Sequence, residues 1–228
     1  MKSPSELRIA LEAGATTALA YPADSSSFGA TLILGHGAGG GQRSTFMVDF
    51  ARALSSLGVD VVTFNFPYTE QGRRIPDRAP VLEACYRAVI ASVHDRLSAA
   101  THALFIGGKS MGGRIATQVA AADPTLPIAG LVLLGYPLHP PGRPTERRDK
   151  HLPAVGRPML FVQGSRDAFG TPAELAPIIE TIGRSASIHV VAGGDHSLKL
   201  ARKDPAAQAA VYDDVQRTMV EWVRMRTK

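Results

Sequence analysis

Two patterns of apolar and polar positions alternate along this chain. Short, continuous apolar runs are typical of buried parallel strands, and they lie at 31–34, 59–66, 101–106, 128–134, 159–163 and 188–191. Amphipathic segments fall between these runs and predict helices, at 46–57, 81–97, 115–121, 172–182 and 206–224. Strands that alternate with helices indicate an α/β fold, with a mostly parallel central sheet and helices on both faces.

The first thirty residues differ from this pattern. Two short strand-like pieces, 7–11 and 16–20, flank Gly14 and predict a β-hairpin. We find no internal repeat and no second core in the sequence. We therefore expect one domain over residues 1–228, with its core at about 28–225.

Composition narrows the class of protein. The chain has 228 residues and one cysteine, Cys85, so an internal disulfide is excluded and a reducing compartment is favoured. Cys85 lies in an amphipathic helix pattern and is interpreted as a core residue. No apolar run approaches the ~20 residues of a membrane span, and the N-terminus does not resemble a signal peptide. We expect a cytoplasmic protein without a membrane partner.

The chain is basic, with a formal net charge of +5 and a pI of about 9.6. Its basic residues are scattered and are not interleaved with aromatics as in a nucleic-acid-binding module. We therefore expect no nucleic-acid partner, and interpret the charge as a modestly positive surface or a preference for anionic substrates.

A glycine-rich turn joins the predicted strand at 101–106 to the helix at 115–121. Its residues, Gly108-Lys109-Ser110-Met111-Gly112, match G-x-S-x-G, the nucleophile elbow. In that turn the serine has strained backbone angles, and the two glycines leave room for the chain to reverse. The helix begins just after the serine, so its N-terminal N–H groups face developing negative charge.

Two other motifs are incomplete. Gly108-Lys109-Ser110 resembles the end of a phosphate-binding loop, but the glycine required at position 103 is alanine. The run from Gly35 to Gly40 fits the glycine pattern of a dinucleotide site, but that site also needs an acidic residue at the end of the next strand. The nearest candidate, Asp60, stands at the start of that strand.

Three residues that could form a catalytic triad follow the ends of predicted strands. Ser110, Asp167 and His196 occur in the order nucleophile, acid, base, and each gap holds about one strand–helix–strand unit. Parallel strands bring their carboxyl ends to one edge of the sheet, so we expect the three side chains to meet there. His196 would take the serine proton and Asp167 would orient the imidazole. Asp195 is a rival acid, but adjacent side chains point apart.

Such chemistry also needs donors for an oxyanion. The expected donors are the backbone N–H of Met111, which follows the nucleophile, and one from the loop after the strand at 31–34. We choose Ala38 for the second donor, in His36-Gly37-Ala38-Gly39, and expect Gly37 to help bind substrate. His36 is expected to brace this loop.

With these motifs in place, the chain resembles a small α/β-hydrolase of the dienelactone-hydrolase-like kind. The likeness covers about residues 28–225 and is strongest to a lidless subgroup with the elbow Gly-Lys-Ser-Met-Gly-Gly-Arg. It implies the α/β-hydrolase fold and the triad above. True dienelactone hydrolases use a cysteine nucleophile where this chain has Ser110. The segment from Gly135 to Arg157, where such folds carry a lid, is too short for a folded lid.

Other residues near the strand ends are candidates for substrate contact. Lys109, Tyr68 and Tyr136 could line the pocket. A basic rim could favour acidic substrates, and it would consist of Arg73, Arg74, Arg147, Arg148 and Lys150. The histidines lack metal-ligand spacing, so we expect neither a metal nor another cofactor.

The sequence thus predicts a serine hydrolase, first of all a carboxylesterase on small soluble esters, with an acyl-enzyme on Ser110. A thioesterase, peptidase or acyltransferase would use the same triad. A non-catalytic binding or scaffold protein of this fold is the alternative from another class, and it would show a malformed triad. The oligomeric state is left open.

Overall fold

The computed structural model describes residues 3–24 and 27–227, and its centre is one eight-stranded sheet. The strands lie side by side in the order β1-β2-β4-β3-β5-β6-β7-β8. Strand β2 runs antiparallel to both of its neighbours, β1 and β4, and the other adjacent pairs are parallel. The strands are β1 (Ser5–Leu11), β2 (Gly14–Tyr21), β3 (Ala30–Gly35), β4 (Asp60–Phe64), β5 (Ala103–Lys109), β6 (Gly130–Leu134), β7 (Met159–Gly164) and β8 (Ala186–Val191).

Helices cover both faces of the sheet. They are α1 (Thr45–Ser56), α2 (Pro67–Glu70), α3 (Ala79–Arg96), α4 (Ser98–His102), α5 (Met111–Ala122), α6 (Pro172–Ile182) and α7 (Pro205–Arg224). Helices α3, α5 and α6 pack on one face and α1 and α7 on the other. Among the residues described, no helix is both long and apolar enough to cross a membrane.

The central strands are buried on both sides, which explains their continuous apolar sequences. Along β3, Ile33 points into the core under α3 and α5, while Leu32 and Leu34 point into the core under α1 and α7. All three side chains are at most 1% exposed. The prediction of a mostly parallel sheet covered on both faces is therefore confirmed, and the hairpin around Gly14 is present as β1–β2.

Two short helices were missed by the hydrophobic pattern. Helix α2 directly follows the strand predicted at 59–66, where no helix was predicted. Helix α4 occupies positions 101 and 102, where the β5 strand was expected to begin. Each helix spans about one turn, too short for an apolar periodicity to show. Strand β5 begins instead at Ala103, where pairing with Ala30 of β3 starts.

The connection from β6 to β7 is short and carries no folded lid. Its only regular element is a 3-10 helix at Leu152–Val155. The sheet edge that receives the candidate residues is therefore not covered by an inserted domain.

The hydroxyl of Tyr86, on α3, contacts the main chain of both β3 and β5. Its hydroxyl oxygen accepts a hydrogen bond from the Gly107 N–H at 3.0 Å and lies 2.6 Å from the Gly107 carbonyl oxygen and 3.2 Å from that of Ile33. The side chain is fully buried, and burial raises the pKa of its phenol, so the group is a neutral donor and acceptor. One hydroxyl thus satisfies main-chain groups just before the glycine-rich turn.

We expect Tyr86→Phe to destabilise the fold by about 1–3 kcal/mol, because the buried main-chain groups of Gly107 lose their partner. Urea unfolding measures this change. Tyr212→Phe is the matched control, since the Tyr212 hydroxyl makes one long contact of 3.4 Å with the Ser197 carbonyl oxygen. Equal midpoints for wild type and Tyr86→Phe would contradict this account.

Candidate active site

The candidate residues meet at the carboxyl edge of the sheet. Ser110 follows β5, Asp167 follows β7, His196 follows β8, and the loop at 36–41 follows β3. This grouping results from the parallel arrangement of these strands, which all end at the same edge.

Ser110 sits in a strained turn between β5 and α5. Its φ of 50° and ψ of −115° are unusual for a residue with a side chain. The glycines on either side allow the turn, because a Cβ at Gly108 or Gly112 would overlap the Gly35 carbonyl oxygen of β3. The predicted strand–turn–helix context of the motif is therefore present.

The three predicted triad residues are in contact. His196 Nε2 lies 2.7 Å from Ser110 Oγ, and His196 Nδ1 lies 2.9 and 3.0 Å from the two carboxylate oxygens of Asp167. A carboxylate only accepts, so Nδ1 carries the proton and Nε2 accepts from the serine hydroxyl. The hydroxyl is thus already hydrogen-bonded to a base.

Asp167 is held by two residues that the sequence analysis did not assign to the site. Gln163 Nε2 donates to Asp167 Oδ2 at 2.8 Å, and the Phe169 N–H donates to Oδ1 at 2.8 Å. Asp167 is 1% exposed and Gln163 is fully buried. In the sequence, Gln163 could have been identified as a site residue because it is a polar residue at the end of the buried apolar run of β7. These bonds stabilise the charged carboxylate in its buried position.

The rival acid, Asp195, has another role. It is exposed, and its Oδ1 accepts from the backbone N–H groups of Ser197 and Lys199 at 2.7 and 2.9 Å. It therefore shapes the turn that carries His196 and does not orient the imidazole.

Two further side chains hold the His196 ring and loop in place. The Phe169 ring stacks on the imidazole, with centroids 4.0 Å apart and planes 24° apart. Lys109 Nζ donates to the His196 carbonyl oxygen at 3.3 Å and lies 5.4 Å from the centre of the Phe46 ring. Burial lowers the pKa of the Lys109 ammonium. Lys109, the residue before Ser110, thus connects the turn of the nucleophile to the loop of His196.

Two backbone N–H groups, those of Met111 and Ala38, are the expected oxyanion donors. Within the described part of the chain, neither the Met111 nor the Ala38 N–H donates a hydrogen bond to the protein. Met111 begins α5, where the helix dipole favours negative charge, and Ala38 is exposed. Both groups are free to donate to a negatively charged oxygen, as the oxyanion prediction requires.

The loop that carries Ala38 is braced by aromatic residues. The Tyr68 hydroxyl donates to the Ala38 carbonyl oxygen at 3.0 Å. The imidazole of His36 is fully buried; its Nδ1 donates to the Gly37 carbonyl oxygen at 2.8 Å and its Nε2 accepts from the Phe66 N–H at 3.2 Å. Gly37 itself passes close to Lys109 and Ser110, where a Cβ would lie 3.7 Å from the serine Cβ.

Not every predicted substrate contact is supported. Tyr136 is fully buried, and its hydroxyl donates to the Arg148 carbonyl oxygen at 2.6 Å, so it presents no surface to a ligand. Tyr68 is also buried, but its side chain lines a cavity beside Ala38. In the predicted basic rim, Arg147 is paired with Asp149 at 2.6 Å. Within residues 3–24 and 27–227, no group of His, Cys, Asp or Glu is arranged to hold a metal ion.

Cys85 lies outside the site, in the core under α3, as predicted. It is 1% exposed, and burial raises the pKa of its thiol to about 12. The thiol is therefore a packing group and not a nucleophile at neutral pH.

Comparison with protein families identifies the family of this chain. A family model described as "Alpha/beta hydrolase domain" matches residues 28–224, which is most of the chain. This span agrees with the range of the resemblance seen in the sequence, about 28–225.

Solved structures with the same fold cover nearly the whole chain. An alpha-beta serine hydrolase homologue from Coxiella burnetii is 17% identical with a TM-score of 0.75, over 98% of this chain and 99% of that one. A serine hydrolase without a lid from Xanthomonas campestris is 22% identical with a TM-score of 0.70, over 96% of both chains. A dienelactone hydrolase from Anabaena variabilis is 18% identical with a TM-score of 0.73, over 96% and 99%. At these identities the likeness establishes the fold.

The buried His36 makes stability depend on pH. Burial lowers the pKa of its imidazole below the ordinary value of 6.5, while the bond to Gly37 acts in the opposite direction. The unfolded chain then binds a proton more readily than the folded chain below pH 6.5. The contribution of neutral His36 to the free energy of unfolding is therefore fully present above pH 6.5. It is lost as the pH falls below 6.5, at up to about 1.4 kcal/mol per pH unit.

We expect His36→Gln to be less stable than wild type at pH 7.5 but to lose less stability between pH 7.5 and 5.5. Urea unfolding at several pH values measures this. His94→Gln, at a partly exposed position, is the control and should keep the steeper wild-type dependence. A wild-type slope retained in His36→Gln would contradict the assignment.

Proposed function

The chain belongs to the alpha/beta hydrolase domain family, and from this premise we propose that it is a serine hydrolase. We propose further that it is a carboxylesterase on small esters and that it acts through an acyl-enzyme on Ser110. The observation that carries the proposal is the contact of Ser110 Oγ with His196 Nε2 at 2.7 Å, with Nδ1 held by Asp167.

In the first step the serine oxygen attacks the ester carbonyl carbon. His196 Nε2 takes the hydroxyl proton as the C–O bond forms, and Asp167 stabilises the resulting imidazolium. The carbonyl oxygen becomes an oxyanion, which accepts from the N–H groups of Met111 and Ala38. Each such donor is worth roughly 3–4 kcal/mol of transition-state stabilisation. The imidazolium then protonates the leaving alkoxide, which departs as the alcohol.

The second step reverses these roles. A water molecule loses its proton to His196 Nε2 and attacks the acyl carbon. The second oxyanion collapses, the bond to Ser110 Oγ breaks, and the serine oxygen recovers its proton from the imidazolium. The products are a carboxylic acid and the free enzyme.

The surroundings of the triad support small, soluble esters. The β6–β7 connection carries only the 3-10 helix Leu152–Val155, so no folded apolar lid covers the site. A thioester would pass through the same steps, and a thioester substrate therefore belongs in the assay. A scaffold of this fold would not need the serine, histidine and carboxylate in mutual contact, so the geometry favours an enzyme.

We expect the purified protein to hydrolyse p-nitrophenyl acetate and butyrate, and Ser110→Ala to lower kcat to background. Removing the nucleophile of such a triad costs roughly a million-fold. Initial rates test this, beside labelling with a fluorophosphonate that reacts with activated serines. A folded wild-type protein that neither turns over esters or thioesters nor becomes labelled would exclude the proposal.

We expect Asp167→Asn to lower kcat by about 10⁴-fold, because the amide favours the wrong imidazole tautomer. Asp195→Asn is the matched control, since its side-chain oxygen can still accept from the loop N–H groups; we expect a loss below about tenfold. Steady-state kinetics of both variants measure the difference. A larger loss in Asp195→Asn than in Asp167→Asn would reverse the assignment of the acid.

A further inference from the structure

A small cavity opens beside the loop that carries Ala38. Its volume is about 270 Å³, and it is lined by residues 38–40, by Tyr68 and Thr69 of α2, and by Arg73 and Arg74. Ala38 is the proposed oxyanion donor, so the cavity lies next to the place where the ester carbonyl would bind.

The two guanidinium groups in this cavity are held differently. Arg73 is fixed by neighbours on its own loop, with Nε donating to Gln71 at 2.9 Å and a terminal nitrogen donating to Asp77 at 2.6 Å. Arg74 is exposed. Across residues 3–24 and 27–227, no carboxylate lies within ion-pair distance of Arg74.

A second acidic residue near this loop, Glu70, forms its hydrogen bonds outside the cavity. Glu70, at the end of α2, accepts hydrogen bonds from Thr17 and from Asn65 Nδ2, the latter at 2.9 Å. Asp77 is paired with Arg73, so it offsets one of the two positive charges. The cavity therefore retains one uncompensated guanidinium beside one that is held in a fixed orientation.

A guanidinium pair of this kind matches a carboxylate. Arginine offers planar, paired N–H donors that bind both oxygens of a carboxylate at once, and it stays charged at any working pH. We infer that this cavity binds a carboxylate that forms part of the ester substrate, so that the enzyme prefers short esters carrying an acid group over neutral esters of the same size. The inference rests on the proposed esterase function and names its substrate class.

The test compares esters matched in size and differing in charge. One pair carries the charge on the acyl side, mono-p-nitrophenyl adipate against p-nitrophenyl methyl adipate, with release of p-nitrophenolate measured for both. A second pair carries it on the alcohol side, 4-acetoxybenzoate against 4-acetoxybenzamide. The measured quantity is the ratio of kcat/KM for the charged ester to that for the neutral one. A ratio cancels any general loss of active enzyme in a variant.

Wild type is expected to favour the charged ester in at least one pair. Arg74→Gln should lower that ratio by about tenfold, the size of one lost charge-assisted contact, and the double variant Arg73→Gln/Arg74→Gln should lower it further. Arg74→Lys should keep most of the preference. The matched control is Arg78→Gln, which removes the same charge from the same loop but does not line the cavity; its ratio should equal that of wild type.

Salt gives a second readout that does not depend on mutation. Raising NaCl should lower the ratio in wild type and leave it flat in the double variant, because an exposed ion pair is screened. The inference is overturned if wild type shows no preference in either pair, or if the double variant keeps the full preference. If Arg78→Gln lost the preference as well, the preference would be an effect of general surface charge, and the inference would also be overturned. If wild type hydrolyses neither the neutral nor the charged esters, the proposed function fails, which is a distinct outcome.

Discussion

The close contact of β3 with the start of α5 is the constraint on which the site depends. The chain must leave β5, turn sharply at Ser110 and enter α5 while the backbone passes directly against Gly35. Side chains at Gly108 or Gly112 would separate these elements and move the serine away from the sheet edge. The strain at Ser110 persists because β5 is buried between two strands and α5 is packed into the core.

Ser110 can act as a nucleophile only because the base His196 contacts its hydroxyl, and His196 is in turn oriented by the buried carboxylate of Asp167. Burying a charge is costly unless it is hydrogen-bonded. Asp167 meets this condition with bonds from Gln163, Phe169 and His196. The stacked Phe169 ring and the Lys109 ammonium then restrict the ring and the loop of His196. The site is thus preorganised before any substrate binds, which is how a fixed arrangement of dipoles lowers a reaction barrier.

Positive potential is a common feature of this edge of the sheet. The N-terminus of α5 begins directly after Ser110, and the Lys109 ammonium is held against the loop of His196. Arg73 and Arg74 extend that potential into the adjoining cavity. The same electrostatic preference would serve the transition state close to Ser110 and a substrate carboxylate farther away, so catalysis and selectivity would share one cause.

The sequence by itself determined the layered α/β fold and the three candidate triad residues, because buried strands, amphipathic helices and the elbow glycines are local patterns. It also indicated the acid, since chain order placed Asp167 at the end of a strand. Only the tertiary structure decided which groups support them. Gln163 and Phe169 act through contacts that local patterns do not encode, and Tyr136 proved to be a buried residue. The arginine-lined cavity likewise exists only because the loop after β4 folds back beside the loop after β3.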